Sequence, residues 1–159
     1  FLIKILMRDY EFCPPENPNW CVPSGLQTLM KSRRINVAQE EIAQFFPEYL
    51  DNYAFDGFNF NKYLFGKFLD RFGLKCDFHN PHDNIESYKD CDIFLRDSKG
   101  DILVAYNSLG NSHLSVLSDF SFDSKLVKLI DFEIPINLSN IVRNMDPSES
   151  KSYGFYVIR

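Results

Sequence analysis

The spacing of hydrophobic and polar residues divides the chain into two halves. From about residue 20 to residue 73, hydrophobic positions recur every three or four residues, which is typical of helices that bury one face. From about residue 74 to residue 159, short hydrophobic runs alternate with turn residues, which is typical of strands. This order predicts a single α+β domain over residues 1–159, with the helices packed on an antiparallel sheet.

Three helices are expected in the first half. The first ends near residues 32–34, the second runs from a cap at Asn36 to Pro47, and the third covers about residues 61–72 and stops at Gly73. The predicted inward-facing residues are Leu26, Leu29 and Met30, then Ile42, Phe45 and Phe46, and finally Tyr63, Leu64, Phe68, Leu69 and Phe72.

The second half predicts strands joined by turns. One hairpin is expected to pair residues 92–96 with 102–106 around a turn at 97–101, and another to pair 113–117 with 126–132. The other expected elements are strands at 74–78 and 153–158 and short helices at 84–89 and 140–145.

The composition restricts the class of protein. Of the 159 residues, 45% are hydrophobic and 25% are charged, which is the balance of a soluble globular domain. The aromatic fraction of 16% requires burial and excludes an intrinsically disordered chain. The net charge is −5 and the densest basic spot is Arg33-Arg34, so a nucleic-acid partner is not expected.

The lengths of the apolar segments and the cysteine content predict a cytoplasmic location. The apolar segment Phe1 to Met7 is too short to cross a membrane, and no stretch approaches the run of about eighteen apolar residues that a span needs. The four cysteines, with no leader before them, fit a reducing compartment better than a disulfide framework. We therefore expect a cytoplasmic chain, or the cytoplasmic part of a larger protein.

The segment Asn17-Pro18-Asn19-Trp20-Cys21-Val22-Pro23-Ser24-Gly25-Leu26 carries the first candidate for chemistry. Its cysteine stands at the predicted start of a helix, where the helix dipole and unpaired N–H groups favour a thiolate. The loop before it can direct N–H groups at a reacting carbonyl, as an oxyanion hole requires. A small buried cysteine at a helix start is the alternative, and this segment alone leaves both open.

A nucleophilic cysteine needs a base, and the base needs a group that orients it. Among the three histidines, His113 begins the predicted strand 113–117, and Asp131 lies near the end of the predicted strand 126–132. If the two strands form a hairpin, Asp131 lies beside His113 and can fix the tautomer of its ring. Taken singly, an ordinary strand-edge histidine and a turn aspartate are the alternatives.

These residues resemble a known family. Cys21-Val22-Pro23-Ser24-Gly25-Leu26 is similar to the Cys-Gly-Pro-Ala-(Ala/Ser)-Leu nucleophile segment of bacteriocin-processing, double-glycine-leader cysteine peptidases, which have a papain-like fold. His113-Leu114-Ser115-Val116-Leu117 and Leu129-Ile130-Asp131 resemble the strands that carry the family's histidine and aspartate. The resemblance implies a papain-like α+β fold with Cys21 as nucleophile, His113 as general base and acid, and Asp131 as orienting residue.

The chain departs from the family pattern at three places. Val22 replaces the glycine after the nucleophile, and Phe132 replaces the proline after the aspartate. The family's oxyanion glutamine, about six residues before the cysteine, falls here on Pro15. Asn17 and Asn19 are the nearby amides that could serve instead. Losing one oxyanion donor costs roughly a hundred- to a thousand-fold in rate, so a weakly active or binding-only protein stays a second hypothesis.

A metal site is a competing interpretation of another segment. Cys76, His79 and His82 could bind zinc, with Cys91 or Cys13 as a fourth ligand. A strand would turn these residues to alternating faces, however, and the paired Cys-x-x-Cys of structural zinc sites is missing. We therefore expect no metal.

The predicted function is thiol-dependent cleavage of a peptide or isopeptide bond, with a peptide or protein as substrate and no cofactor. A thiol acyltransferase and a silent peptide-binding module are the alternatives. Aromatic residues between positions 47 and 61 either pack in the core or line a groove for an extended peptide. They are Tyr49, Tyr53, Phe55, Phe58 and Phe60.

Overall fold

The computed structural model describes residues 9–46 and 62–159. Its helices are α1 (Cys21–Ser32), α2 (Gln39–Phe45), α3 (Lys62–Asp70), α4 (Ile85–Lys89), α5 (Cys91–Asp97) and α6 (Leu138–Arg143). Its strands are β1 (Cys76–His79), β2 (Asp101–Ser108), β3 (Asn111–Ser121), β4 (Leu126–Leu129), β5 (Ile136–Asn137) and β6 (Gly154–Ile158). The predicted α+β class, with a helical first half and a strand-rich second half, is confirmed.

The described strands form one antiparallel sheet in the order β1-β6-β2-β3-β4-β5. β2 and β3 form its central hairpin, which turns at Leu109-Gly110 and sets Tyr106 opposite His113. β6 comes last in the sequence and pairs with both β1 and β2. The predicted strand at 153–158 is therefore confirmed, and it lies inside the sheet.

α1 packs against the central hairpin. Its fully buried hydrophobic residues are Val22, Leu26, Leu29 and Met30. Gly25 permits a close approach, because a Cβ at this position would lie only 3.0 Å from Cδ2 of Leu114 on β3. The close packing holds the start of α1, where Cys21 lies, near the strand that carries His113.

A buried ion pair joins the end of α1 to the sheet. Arg33 follows α1 and donates from Nε to Asp101 at 2.6 Å and from Nη2 to the carbonyl oxygen of Ile158 at 3.0 Å. Tyr10 also donates to Asp101, whose side chain is 2% exposed. Since Asp101 begins β2 and Ile158 ends β6, one polar cluster holds the helix, two strands and the N-terminal segment together.

Residues 92–96 are helical, so the predicted strand and its hairpin with 102–106 are wrong. They belong to α5, which buries Cys91 and Leu95 one turn apart. An apolar run this short fits a strand or a buried helix equally well. β2 pairs with β3 and β6 instead.

The start of α2 also differs from expectation. The helix begins at Gln39 after Ala38, and Asn36 does not cap it. Ala38 has an extended backbone, and the segment before it carries Val37 into the core, where it is 4% exposed. Burial of Val37 thus outweighs the capping tendency of Asn36.

α3 ends at Asp70, shortly before the predicted end at residue 72, and it buries only part of its predicted face. Gly73 has a φ of +71°, in the left-handed region that favours glycine after a helix. Tyr63 is 70% exposed, whereas Phe65 is buried at 2%.

The aromatic residues predicted between positions 47 and 61 lie outside the described residues. None of the helices within 9–46 and 62–159 has the length and apolar character to cross a bilayer.

Candidate active site

Cys21 is the first residue of α1. The preceding turn is closed by the Trp20 amide, which donates to the carbonyl oxygen of Asn17 at 2.9 Å, and Pro18 takes a position that proline favours in turns. Trp20 is the N-cap and provides no side-chain hydrogen bond to the helix. The amides of Cys21 and Val22 therefore make no hydrogen bond to any residue that the structure describes.

Side chains of α1 and α2 fix the backbone that leads to this turn. Ser24 of α1 donates from Oγ to the carbonyl oxygen of Cys13 at 2.5 Å. Gln39 of α2 donates from Nε2 to the carbonyl oxygen of Pro14 at 2.8 Å and accepts at Oε1 from the Glu16 amide at 2.9 Å. Because Gln39 is only 1% exposed, water does not compete for these bonds. The loop before the candidate nucleophile is thus held on two sides.

His113 lies on β3, directly opposite Tyr106 on β2. The two rings meet edge to face, with 5.8 Å between their centroids and 85° between their planes. Tyr106 is 5% exposed and shields one side of the imidazole from water. The Cys21 thiol lies near the His113 ring, because its interactions help to raise the pKa of His113. The structure therefore brings the predicted cysteine and histidine together.

The carboxylate of Asp131 binds another side of the same ring. Nε2 of His113 lies 2.5 Å from Oδ2 of Asp131. The other oxygen, Oδ1, accepts a hydrogen bond from the hydroxyl of Ser115, which is 2% exposed. Since Nε2 is engaged by Asp131, Nδ1 is the ring nitrogen that remains for Cys21.

The register between β3 and β4 determines where Asp131 lies. Ser118 is an extra residue on β3 relative to β4, as at a β-bulge. On the His113 side of this bulge, the register continued past β4 sets Asp131 opposite Ser115. Without the extra residue Asp131 would lie opposite Val116, which is completely buried in the core. The bulge therefore places the carboxylate on the side of the sheet that bears the imidazole.

Electrostatic interactions favour the charged forms of His113 and Asp131. Burial would lower the pKa of His113, but hydrogen bonds and charge interactions with Asp131 and Cys21 outweigh it and raise the pKa to about 10. Burial would raise the pKa of Asp131, but hydrogen bonds from His113 and Ser115 and the imidazolium charge hold it below its ordinary value. Burial, with the nearby Asp131 charge, raises the pKa of Tyr106 to about 12. At neutral pH the ring is a cation, the carboxylate an anion and the phenol neutral.

The two candidate oxyanion donors lie in the turn before α1. Asn17 is half-buried, and its Oδ1 accepts from the Asn19 amide at 3.3 Å, which leaves Nδ2 as the donor group. The Asn19 side chain is exposed and makes no hydrogen bond within the described ranges. The structure thus gives Asn17 the more fixed orientation of the two.

The residues of the competing zinc interpretation serve other contacts. Burial, with a neighbouring aspartate in each case, raises the pKa of the Cys76 and Cys91 thiols to about 12. The His79 ring stacks on Phe94 with 4.1 Å between centroids, and Nε2 of His82 lies 2.7 Å from a backbone carbonyl oxygen. In the part of the chain that the structure describes, no three metal-binding side chains converge.

Two residues of the site were missed by the sequence reasoning. Ser115 follows His113 by two positions, so strand periodicity alone places both on one side of β3. The expected hairpin pairs Tyr106 with residues 92–96, although Gly110 marks the turn that pairs it with His113. Both signals were present in the sequence, but each depends on knowing the correct strand partner.

Comparison with known proteins identifies the fold. No protein-family model matches the chain. No curated protein matches it either. In three dimensions the chain is similar to a double glycine motif protease from an AMS/PCAT transporter, whose crystal structure was solved in complex with the leader peptide. The TM-score is 0.64 at 11% sequence identity, and the match covers 99% of this chain and 97% of that one. The chain therefore has the α+β fold of this double glycine motif protease, which is the fold that the sequence resemblance predicts.

Proposed function

We propose that the chain is a cysteine peptidase that hydrolyses a peptide or isopeptide bond, with Cys21 as nucleophile, His113 as general base and acid, and Asp131 as orienting residue. The observation that carries the proposal is the position of the His113 ring, which binds the Asp131 carboxylate and lies near enough to the Cys21 thiol for that thiol to raise the pKa of His113. A nucleophile, its base and an orienting group require this relationship. The fold likeness to a protease supports the same class of reaction.

In the first step the Cys21 thiolate attacks the substrate carbonyl carbon, and a carbon–sulfur bond forms. The His113 imidazolium gives its proton to the leaving nitrogen as the carbon–nitrogen bond breaks. With a pKa raised to about 10, His113 holds this proton at neutral pH. A thioester on Cys21 and a free amine result.

In the second step neutral His113 takes a proton from water, whose oxygen attacks the thioester carbon. The carbon–sulfur bond breaks, and a carboxylic acid leaves. Acylation removes the Cys21 charge, which is one cause of the raised pKa of His113, so the ring becomes better suited to cycle between its two forms. Asp131 stays bonded to Nε2 and keeps Nδ1 directed to the sulfur.

The proposed oxyanion donors are the Cys21 amide and the Asn17 side chain. The amide is at the positive end of α1 and has no hydrogen-bond partner among the described residues. Asn17 is favoured over Asn19 because its Oδ1 is anchored and its side chain is half-buried. A preformed donor loses little freedom when negative charge develops on the substrate oxygen.

The proposed substrate is a peptide or protein chain, and no step requires a cofactor. The similar protease was solved with a leader peptide bound, which supports a peptide as the substrate class.

A second candidate function is peptide binding with weak or no cleavage. Pro15 stands where the resembled family has its oxyanion glutamine, and this absence favours the candidate. A third outcome, thiol acyl transfer, would use the same thioester but deliver the acyl group to an amine.

The test compares the wild-type chain with Cys21→Ala on a diverse peptide mixture, with products identified by mass spectrometry. We expect defined cleavages by the wild type, none by Cys21→Ala, and unchanged cleavage by the control Cys13→Ala. Asp131→Asn should lower kcat by about a hundred- to ten-thousand-fold.

The alternatives give different results in the same experiment. Binding of peptides by wild type and Cys21→Ala without cleavage by either would contradict the peptidase and support the binding module. Products that gain the mass of an added amine would indicate acyl transfer. Iodoacetamide labelling in mildly acidic buffer should modify Cys21 faster than Cys13, because only the former lies beside the His113 imidazolium.

A further inference from the structure

We propose that Ser115 is a positioning residue for the proposed reaction, which holds the Asp131 carboxylate in the orientation that binds His113. The inference rests on the proposed function of the site. One carboxylate oxygen of Asp131 binds Nε2 of His113 at 2.5 Å, and the other accepts the Ser115 hydroxyl. The carboxylate is thus held at both ends.

Both groups that bind the carboxylate come from a single strand. His113 and Ser115 are two residues apart on β3, so their side chains leave the strand on the same side. Ser115 is paired with Val104 on β2, which fixes its backbone in the centre of the sheet. The distance between the two binding groups is therefore set by the strand and not by flexible side chains.

Burial makes the Ser115 contact specific. The residue is 2% exposed, so its hydroxyl cannot exchange a protein partner for bulk water. Without the Ser115 donor, the Asp131 carboxylate could rotate more freely about its Cβ–Cγ bond. The second donor restricts that rotation and keeps Oδ2 directed at the imidazole.

The backbone of Asp131 is fixed separately. Lys128 donates from Nζ to the carbonyl oxygen of Leu129 at 2.7 Å and also to that of Phe132. The Phe132 amide closes the same turn by donating to the Leu129 carbonyl oxygen at 3.2 Å. These contacts fix the backbone of Asp131, so the Ser115 hydroxyl orients only the Asp131 side chain. Removal of the hydroxyl should therefore affect the carboxylate without unfolding the turn.

The Ser115 hydrogen bond also favours the ionised carboxylate, because a donor stabilises the charged form. An anionic Asp131 is what the proposed reaction needs while His113 gains and loses its proton. Without this donor the carboxylate would bind a proton more readily and would compete with Nε2 for it.

The experiment uses Ser115→Ala, the rescue variant Ser115→Thr and the control Ser121→Ala in the full chain. Ser121 lies on the same strand, and its buried hydroxyl makes no hydrogen bond to the described residues. The readouts are kcat and KM across pH, and the ¹³C NMR titration of the Asp131 carboxyl, assigned with Asp131→Asn. Ser115→Cys, of similar volume but with a weaker donor, serves if the alanine variant does not fold.

We expect Ser115→Ala to lower kcat by about ten- to a hundred-fold with little change in KM. Its Asp131 titration should move to higher pH. Ser115→Thr should return both toward wild type, and Ser121→Ala should match wild type.

An unchanged Asp131 titration in Ser115→Ala would overturn the proposal, and so would equal losses of kcat in Ser115→Ala and Ser121→Ala. The wild type could cleave no peptide while Ser115→Ala still shifts the Asp131 titration. That result would contradict the peptidase proposal and support the orienting role of the Ser115 hydrogen bond. The two failures are thus distinguished.

Discussion

Arg33 donates from Nε to Oδ2 of Asp101 at 2.6 Å, in a place where the two side chains are 15% and 2% exposed. The bond fixes the end of the helix that begins with Cys21 to the start of the strand that carries Tyr106. It lies at the opposite end of α1 from the candidate active site, so its contribution is to the placement of the whole helix.

Arg33→Met should lower the free energy of unfolding by about 3 to 5 kcal/mol, because the Asp101 carboxylate, whose side chain is 2% exposed, loses the Arg33 guanidinium. Urea unfolding measures the loss. The control Lys75→Met removes an ion pair to Asp70 whose side chains are 76% and 49% exposed, and it should change stability by less than about 1 kcal/mol. Equal losses in the two variants would contradict this account.

Gln39→Met should loosen the loop before Cys21. The substitution removes the hydrogen bonds that Gln39 makes to the Pro14 carbonyl oxygen and the Glu16 amide, each worth about 0.5 to 1.5 kcal/mol. Hydrogen exchange at the Glu16 amide should accelerate, while the exposed control Glu40→Gln should leave it unchanged. Unaltered protection of this amide in Gln39→Met would show that other contacts hold the loop.

Asn17→Ala should lower kcat by about a hundred- to a thousand-fold if its amide stabilises the oxyanion. Asn19→Ala should have little effect, because its side chain is exposed and unanchored. Steady-state kinetics on one cleaved peptide distinguish the two. A large loss in Asn19→Ala with normal Asn17→Ala would assign the role to the other amide.

Stability should depend on pH through the His113–Asp131 pair. The pKa of His113 is raised from 6.5 to about 10, so the stability that it contributes is complete below pH 6.5 and is lost as the pH rises through 10. The pKa of Asp131 is lowered from 3.8, so its contribution is complete above that value and is lost as the pH falls through the lowered pKa.

The difference in unfolding free energy between wild type and Asp131→Asn should therefore be largest between pH 3.8 and 6.5 and should shrink toward pH 10. Urea unfolding at a series of pH values measures it. The control Asp97→Asn removes an exposed partner of Arg96 and should show no such decline above pH 6.5. A constant difference for Asp131→Asn would exclude the coupling.

Local sequence signals predicted the parts of the site that depend on one element. Cys21 at a helix start and His113 on a strand follow from residue type and hydrophobic spacing, and the structure places both as expected. A simple hairpin predicts Asp131 directly beside His113, whereas the two residues are related diagonally through the bulge at Ser118. A bulge has no strong sequence signal, because any residue can be the extra one.

The errors arose where tertiary contacts decide between local alternatives. Residues 92–96 are short and apolar enough for a strand, but burial of Cys91 and Leu95 on one face selects the helix. Asn36 is a good cap in isolation, and burial of Val37 moves the helix start to Gln39. In both cases the core determines the outcome, and the core is known only after the strands are paired.

The bulge at Ser118 also determines where the chain tolerates changes in length. A residue inserted into the β3–β4 turn near Asp123 lies beyond the bulge. The insertion therefore does not change the side of the sheet on which His113 and Asp131 lie. A residue inserted between Leu129 and Asp131 would move the carboxylate to the side of the sheet opposite His113. For grafting tags or linkers, the two ends of β4 are therefore not equivalent, although they are only a few residues apart.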